Sequence, residues 1–365
     1  MTFTALHDLE RIGTSTWLDD LSRERIHSGN LAAMIEIGVL GVTTNPAIFA
    51  AAMSSGNAYD AQLKELAAKG ATADEAVYAM AIDDVREACD AFAQVFSSTG
   101  GRDGWVSIEV DPRISEDAAA TLTQARELHQ RVGRDNVMIK IPATEGSLPA
   151  ISDALAEGIS VNVTLIFSEA QYRKVVAAYL DGIARAHAAG KDVSRIRSVA
   201  SVFVSRIDTE VDKRLDAIGT EDALAARGVA GLAGAYACYG AFKELFAAAT
   251  LPEGAHVQRP LWASTGVKNP AYPATLYVDQ LAGPDTVNTM PQGTIDALLE
   301  GAGLDGDTLT PGALTAHSQL QRVTDAGVDL ADVYATVERE GVEKFVDSWT
   351  ALLNELDTKL AAQGR

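Results

Sequence analysis

Short apolar runs alternate with longer amphipathic ones along this chain. The short runs are rich in β-branched residues and read as strands: 14–19 (TSTWLD), 40–44 (LGVTT), 105–110 (WVSIEV), 136–141 (NVMIKI), 159–165 (ISVNVTL), 197–204 (RSVASVFV), 260–265 (PLWAST) and 286–290 (TVNTM). The longer runs between them repeat apolar residues at helical spacing. Two begin with capping-box signatures, Thr72-x-x-Glu75 and Ser168-x-x-Gln171. The second spans Ala170 to Ala189 and stops at Gly190, a natural helix terminator. Near the C-terminus, Phe345, Val346, Trp349, Leu352, Leu353, Leu356 and Leu360 form one apolar helical stripe. Eight strands with intervening helices predict an α/β fold, a single (β/α)8 TIM barrel with additional helices.

Such a barrel takes about 250 residues. The chain has 365, and no Pro- or Ser-rich linker divides it. The expectation is therefore one domain over 1–365, with inserted helices around 46–104 and 215–258 and a C-terminal helix around 342–362.

Alternation within the strands separates two faces. In WVSIEV, Val106, Ile108 and Val110 share one face, and Ser107 and Glu109 the other. In VMIKI, Val137, Ile139 and Ile141 oppose Met138 and Lys140. In ISVNVTL, Val161, Val163 and Leu165 oppose Asn162 and Thr164. The aliphatic faces are predicted to pack on outer helices, and the polar sets to point into the barrel near the C-terminal strand ends. Barrel enzymes carry their chemistry at those ends. Asp19 closes the first strand and Asn45 follows the second. Spacing alone leaves Asp19 and Asp20 open; parity with Trp17 favours Asp19.

Lys140 stands out, because burying an ammonium costs several kcal/mol or shifts its pKa down by up to roughly 3–5 units. A desolvated lysine is a nucleophile toward carbonyls and forms Schiff bases. The protonated imine then accepts the electrons of a breaking carbon–carbon bond. Carboxylates at Asp19 and Glu109 can move the protons this requires. Asn45, Asn162 and Thr164 offer neutral hydrogen bonds suited to sugar hydroxyls. Each residue alone has a plainer reading, such as a rim charge, a helix cap or a turn residue. Their convergence on one inner face is what points to catalysis.

Composition narrows the choices. A net charge of −20 argues against a broad nucleic-acid or anionic-membrane surface. It leaves room for a small phosphorylated ligand held by local cations, for which Arg206 and Lys268, after strands six and seven, are candidates. Cys89 and Cys238 lie far apart, outside any Cys-x-x-Cys pair, so a disulfide framework or zinc site is not expected. The six histidines show no metal-ligand spacing. No P-loop is present, and Gly228-x-x-Gly231-x-x-Gly234 lacks dinucleotide spacing, so helix packing explains it better. The N-terminus lacks a signal-peptide core, and no run is long enough to span a bilayer, so a cytoplasmic location is expected. No cofactor is called for. The sequence does not separate a monomer from a homodimer.

Several segments together resemble the transaldolase family, in its longer bacterial form: GVTTNPAIF (41–49), VSIEVDPR (106–113), VMIKIPAT (137–144), GISVNVTLIFS (158–168) and SVFVSRID (201–208). The resemblance runs from about Thr14 to about Pro291, with a compatible C-terminal helix beyond. It implies a metal-free (β/α)8 enzyme that moves a dihydroxyacetone unit between sugar phosphates. It places the Schiff-base lysine at Lys140, the strand-three glutamate at Glu109 and the strand-one aspartate at Asp19. Substrate binding falls to Thr44 and Asn45 in TTNP, Asn162 and Thr164 in VNVT, and Ser201, Phe203 and Arg206 in SVFVSR. Where the shorter form has a strand-seven arginine, this chain reads ASTGVKN, with Lys268 in place of the bidentate fork. An aldolase using the same imine, and a non-catalytic sugar-phosphate sensor on the same barrel, are the alternatives.

Overall fold

The computed structural model describes residues 4–301 and 303–363. Eight parallel strands close into a barrel in sequential order: β1 (Thr14–Leu18), β2 (Gly41–Val42), β3 (Trp105–Glu109), β4 (Val137–Pro142), β5 (Val161–Ile166), β6 (Ser198–Phe203), β7 (Arg259–Ala263) and β8 (Thr286–Met290). All eight predicted strands are present. The second is much shorter than its apolar run, because Thr43 to Asn45 turn away to begin a helix.

Two apolar layers follow the predicted parity. Val106, Ile108, Val137, Ile139, Ile141, Val161 and Val163 pack outward against the helices. Trp17, Trp105, Met138, Leu261 and Val287 fill the barrel interior. Glycine is required at Gly41, where a Cβ would sit 2.7 Å from the Trp17 ring. The floor is fastened by polar contacts. Asp103 accepts from Ser15 Oγ at 2.8 Å and Trp17 Nε1 at 3.2 Å, and it faces Arg259 Nη1 at 3.1 Å.

Leu165 departs from the predicted parity. It was expected outside with Val161 and Val163, but it belongs to the interior cluster, and Ile166 takes the outer place. The cause is a register shift between Val163 and Ile166 against β6, with Leu165 at φ 60°. A leucine in that region costs on the order of 1–2 kcal/mol. Gln171 holds the irregularity. Its Nε2 donates to the carbonyls of Ala143 at 2.9 Å and Leu165 at 3.1 Å, and its Oε1 accepts from the Phe167 N–H at 2.9 Å. Ser168 accordingly caps its helix alone, accepting from the Gln171 N–H at 3.2 Å, and the reciprocal half of the predicted box is absent. Thr72 and Glu75 do form both halves of theirs.

Residues 46–104 supply four helices: Pro46–Ser54, Asp60–Ala68, Ala73–Ala91 and Ala93–Ser98. The region around 215–258 supplies Glu221–Ala225 and Ala230–Ala248. At Gly231 the latter donates its backbone N–H to Asp208 Oδ1 at 2.7 Å. The C-terminal helix, Leu330–Gln363, begins earlier than its apolar stripe and packs on the first three helices of the 46–104 segment. No helix among the described residues is long and apolar enough to cross a membrane. Both cysteines are buried and free.

Candidate active site

Register assembles the site. Glu109 of β3 pairs with Lys140 of β4, and Lys140 pairs in turn with Asn162 of β5. Three inner-face positions at one level thus carry a carboxylate, an ammonium and an amide. Lys140 is 4% exposed. Its Nζ donates to the Thr44 carbonyl at 2.9 Å and lies 3.2 Å from Glu109 Oε2. No hydrogen-bond donor is aligned on either Glu109 oxygen among the described residues. Burial pushes the Glu109 carboxyl up to about 7, against the pull of Lys140 and with a further push from Asp19.

A cavity of about 400 Å³ opens above this level at the C-terminal mouth. Asp19, Asn45, Lys140, Ser201, Phe203 and Arg206 are on its wall. Asp19 accepts from Thr43 Oγ1 at 2.8 Å, and Thr43 also meets Thr289 Oγ1 at 2.6 Å. Burial raises the Asp19 carboxyl above its ordinary value, while Lys140 and the Thr43 hydrogen bond restrain it. Asp20 points elsewhere and pairs with Arg25 at 2.6 Å, so parity with Trp17 identified the cavity-facing aspartate. Asn45 caps the helix Pro46–Ser54 through Oδ1, which accepts from the Ile48 N–H at 3.0 Å. That leaves its amide nitrogen as the end available to the cavity.

Other predicted residues lie behind the wall. Asn162 is fully buried; its Nδ2 donates to Ser107 Oγ at 3.0 Å and its Oδ1 accepts from Ser201 Oγ at 2.7 Å. Thr44 donates its hydroxyl to the Ser107 carbonyl at 2.7 Å. Thr164 is fully buried, and its hydroxyl has no partner among the described residues. Glu109 is also absent from the cavity lining, so it reaches a ligand only through Lys140 or a water.

Arg206 bridges two spaces. It lines the main cavity and an adjoining one of about 320 Å³, which also holds Lys268 and Lys344. Its guanidinium lies 5.0 Å from the Phe203 ring centroid and 5.8 Å from that of Phe345. Its buried Nη1 has no acceptor among the described residues. Burial lowers the guanidinium pKa, opposed by Asp19, Glu109 and Glu340.

Sequence reasoning missed part of the lining: Thr43, Thr289, Lys344, Phe345, Asp347 and Ser348. Thr289 was within reach, since alternation in TVNTM puts it on the inner face with Val287. The C-terminal helix was not. Its stripe marks Phe345 as buried without saying what buries it, and the Phe345 ring centroid lies 5.6 Å from Lys140 Nζ.

A closed parallel barrel that gathers a lysine, carboxylates and hydroxyls at the C-terminal mouth has the build of a (β/α)8 enzyme. The chain belongs to the transaldolase/fructose-6-phosphate aldolase family, whose model matches residues 16–356. Curated relatives extend the likeness over nearly the whole chain. A transaldolase of Mycolicibacterium paratuberculosis is 53% identical over 363 residues, covering 98% of this chain and 97% of its own. Transaldolase 1 of Streptomyces avermitilis is 53% identical over 367 residues, with 98% and 97% covered. A transaldolase of Mycolicibacterium smegmatis is 52% identical over 359 residues, with 97% of each covered.

Proposed function

We propose that this chain catalyses the transaldolase reaction. It transfers a dihydroxyacetone unit from sedoheptulose 7-phosphate to glyceraldehyde 3-phosphate, giving erythrose 4-phosphate and fructose 6-phosphate, in the non-oxidative pentose phosphate pathway. The observation that carries the reading is Lys140 Nζ on the cavity wall with Glu109 Oε2 at 3.2 Å behind it.

Lys140 as the free amine attacks the ketose carbonyl, and the carbinolamine loses water to give the protonated imine. Glu109 sits where it can hand protons to and from that centre without touching the sugar chain. Its carboxyl near 7 suits both directions of transfer. Asp19 is on the wall at the end of β1, so, unlike Glu109, it can meet substrate directly. It takes the hydroxyl proton as the carbon–carbon bond breaks. The bonding electrons pass into the imine to form an enamine, and the aldose leaves. The acceptor aldehyde then reverses these steps. Asn45 and Ser201 bind hydroxyls from the cavity wall; Thr44 and Asn162 act from behind it, holding Ser107 and Ser201, and Thr164 fills the space behind the wall. Phe203 packs against Arg206. The phosphate goes to Arg206, with Lys268 as a second, point-like charge in the adjoining space. The chemistry needs no metal or organic cofactor.

The test is to add fructose 6-phosphate, reduce with borohydride and map the modified peptide. Modification of Lys140 is expected; modification elsewhere, or none, would sink the assignment. Lys140→Ala should abolish both trapping and transfer. An aldolase would release glyceraldehyde 3-phosphate without an acceptor, so product analysis with and without erythrose 4-phosphate separates the two activities.

A further inference from the structure

Opposite the catalytic mouth, at the N-terminal ends of the strands, the barrel floor holds another cavity, of about 470 Å³. Arg102, Arg197, Arg259 and His256 line it, with Asp285 as the carboxylate on its wall. Two of the three guanidiniums are compensated. Arg259 faces Asp103 at 3.1 Å, and Arg102 faces Asp285 at 3.2 Å. Arg197 gives one donor from each of its three nitrogens to backbone carbonyls, Gly101 at 3.1 Å, Gly100 at 3.0 Å and Ser194, which leaves one N–H on each Nη for a ligand. Among the described residues, the ionisable groups that act on it are the Tyr179 hydroxyl, which raises its pKa, and the neighbouring Arg259, which lowers it; Asp135 shares a separate cavity with it. Burial and Arg259 both push its pKa down.

A partly buried cation beside another cation is costly unless an anion compensates it. The surplus is local, since the chain as a whole carries −20. The remaining wall is apolar, from Met138, Val199, Leu251 and Val257. A charged group at one side and a hydrocarbon surface at the other call for a ligand with both.

We propose that the floor cavity binds a small organic phosphate, with its phosphoryl group on Arg197 and Arg102 and its carbon skeleton against the apolar wall. The guanidinium fork of Arg102 keeps donors beyond the one given to Asp285, so the phosphoryl group joins that pair without displacing the carboxylate. Arg259 commits its Nη atoms to Arg102 O, Asp103, Ser15 and Thr286 O, and its buried Nε is without a partner among the described residues.

His256 is a built-in reporter on the same wall. Burial and Arg197 hold its imidazole pKa down, and a hydrogen bond with the Ser194 backbone opposes them. An anion on Arg197 cancels part of that field, so the His256 midpoint should rise, by about half a pH unit or more.

The test follows the His256 ring signals by NMR in the full chain, assigned with His256→Gln, while phenyl phosphate or inorganic phosphate is added. The expected result is a saturable rise in the midpoint, with phenyl phosphate binding about tenfold tighter through its ring. Arg197→Met and Arg102→Met should each weaken the response at least about tenfold. Arg206→Met, at the catalytic mouth, should leave it intact. No response, equal affinity for the two probes, or a response lost in Arg206→Met but kept in Arg197→Met overturns the proposal. Should Arg197→Met fail to fold, Arg102→Met alone decides. The readout does not depend on turnover, so it is independent of the catalytic assignment.

Discussion

In the proposed mechanism, Glu109 ties catalysis to stability through one proton. Its carboxyl is raised to about 7 by burial, above the ordinary value near 4.3. A raised carboxyl holds its proton more tightly in the folded chain than in the unfolded one. Below the ordinary value both states are protonated and the cost is absent. As pH climbs from there, the unfolded chain ionises first and stability falls, until the full cost is present above about 7. Glu109→Gln removes this titration. Relative to the parent, the variant should gain stability from about pH 5 to about pH 8 by on the order of 2–4 kcal/mol in urea unfolding. Equal differences at the two pH values would contradict the buried carboxyl. The same variant should lose roughly 10²–10⁴-fold in kcat, and the limb near neutrality should vanish from its pH–rate profile. Residues of this kind were legible because a charge in an apolar run is conspicuous and parity says which way it points. Thr44 and Asn162 were legible as polar inner-face positions, but not as groups turned onto Ser107 behind the cavity. That distinction depends on side-chain rotamers, which alternation does not encode.

Among the elements, the C-terminal helix does most to shape the cavity, and it was the least legible. Its period marked a buried stripe, yet helical spacing carries no address for the surface it covers. Gly341 sets how closely it approaches. A Cβ there would stand 3.2 Å from Phe167 Cζ and 3.3 Å from Arg206 Nη1. Glycine inside a helix costs about 0.5–1 kcal/mol relative to alanine, so contact has been favoured over propensity. Gly341→Leu should overpack the contact, costing about 1–3 kcal/mol. By shifting Arg206 it should raise the KM for fructose 6-phosphate several-fold, measured by steady-state kinetics. Imine trapping of unphosphorylated dihydroxyacetone should change little, and a parallel loss of both would point to general disorder instead. Leu165 and its register shift were hidden for a related reason. The sequence reads as an unbroken strand there, and the irregularity is held by Gln171 from the next helix.

Across the whole molecule, closure of the barrel brings Thr14 beside Thr286. Alternating strands and helices implied that closure, because eight such units have few other ways to bury two-sided strands. The floor pair that accompanies it was not implied. Arg259 and Asp103 are 7% and 2% exposed, and nothing local in sequence joins them. Removing one partner strands the other, so Arg259→Met should cost about 3–5 kcal/mol by urea unfolding. Adding Asp103→Leu should recover a good part of it, and a double variant as weak as the sum of the singles would show that the pair is not coupled.

The position of Phe345 also has a consequence for synthesis. A ribosome releases all eight strands before it reaches the residue that covers Lys140. For that interval the growing polypeptide can present its reactive amine under an open mouth, to any small carbonyl compound nearby. The helix Leu330–Gln363, translated after the strands, then confines that amine as well as packing on the first inserted helices. Chains ending at Val328 should therefore be modified at Lys140 by small aldehydes faster than the full-length chain. Equal labelling rates, read by peptide mass, would show that the earlier segments already shield it.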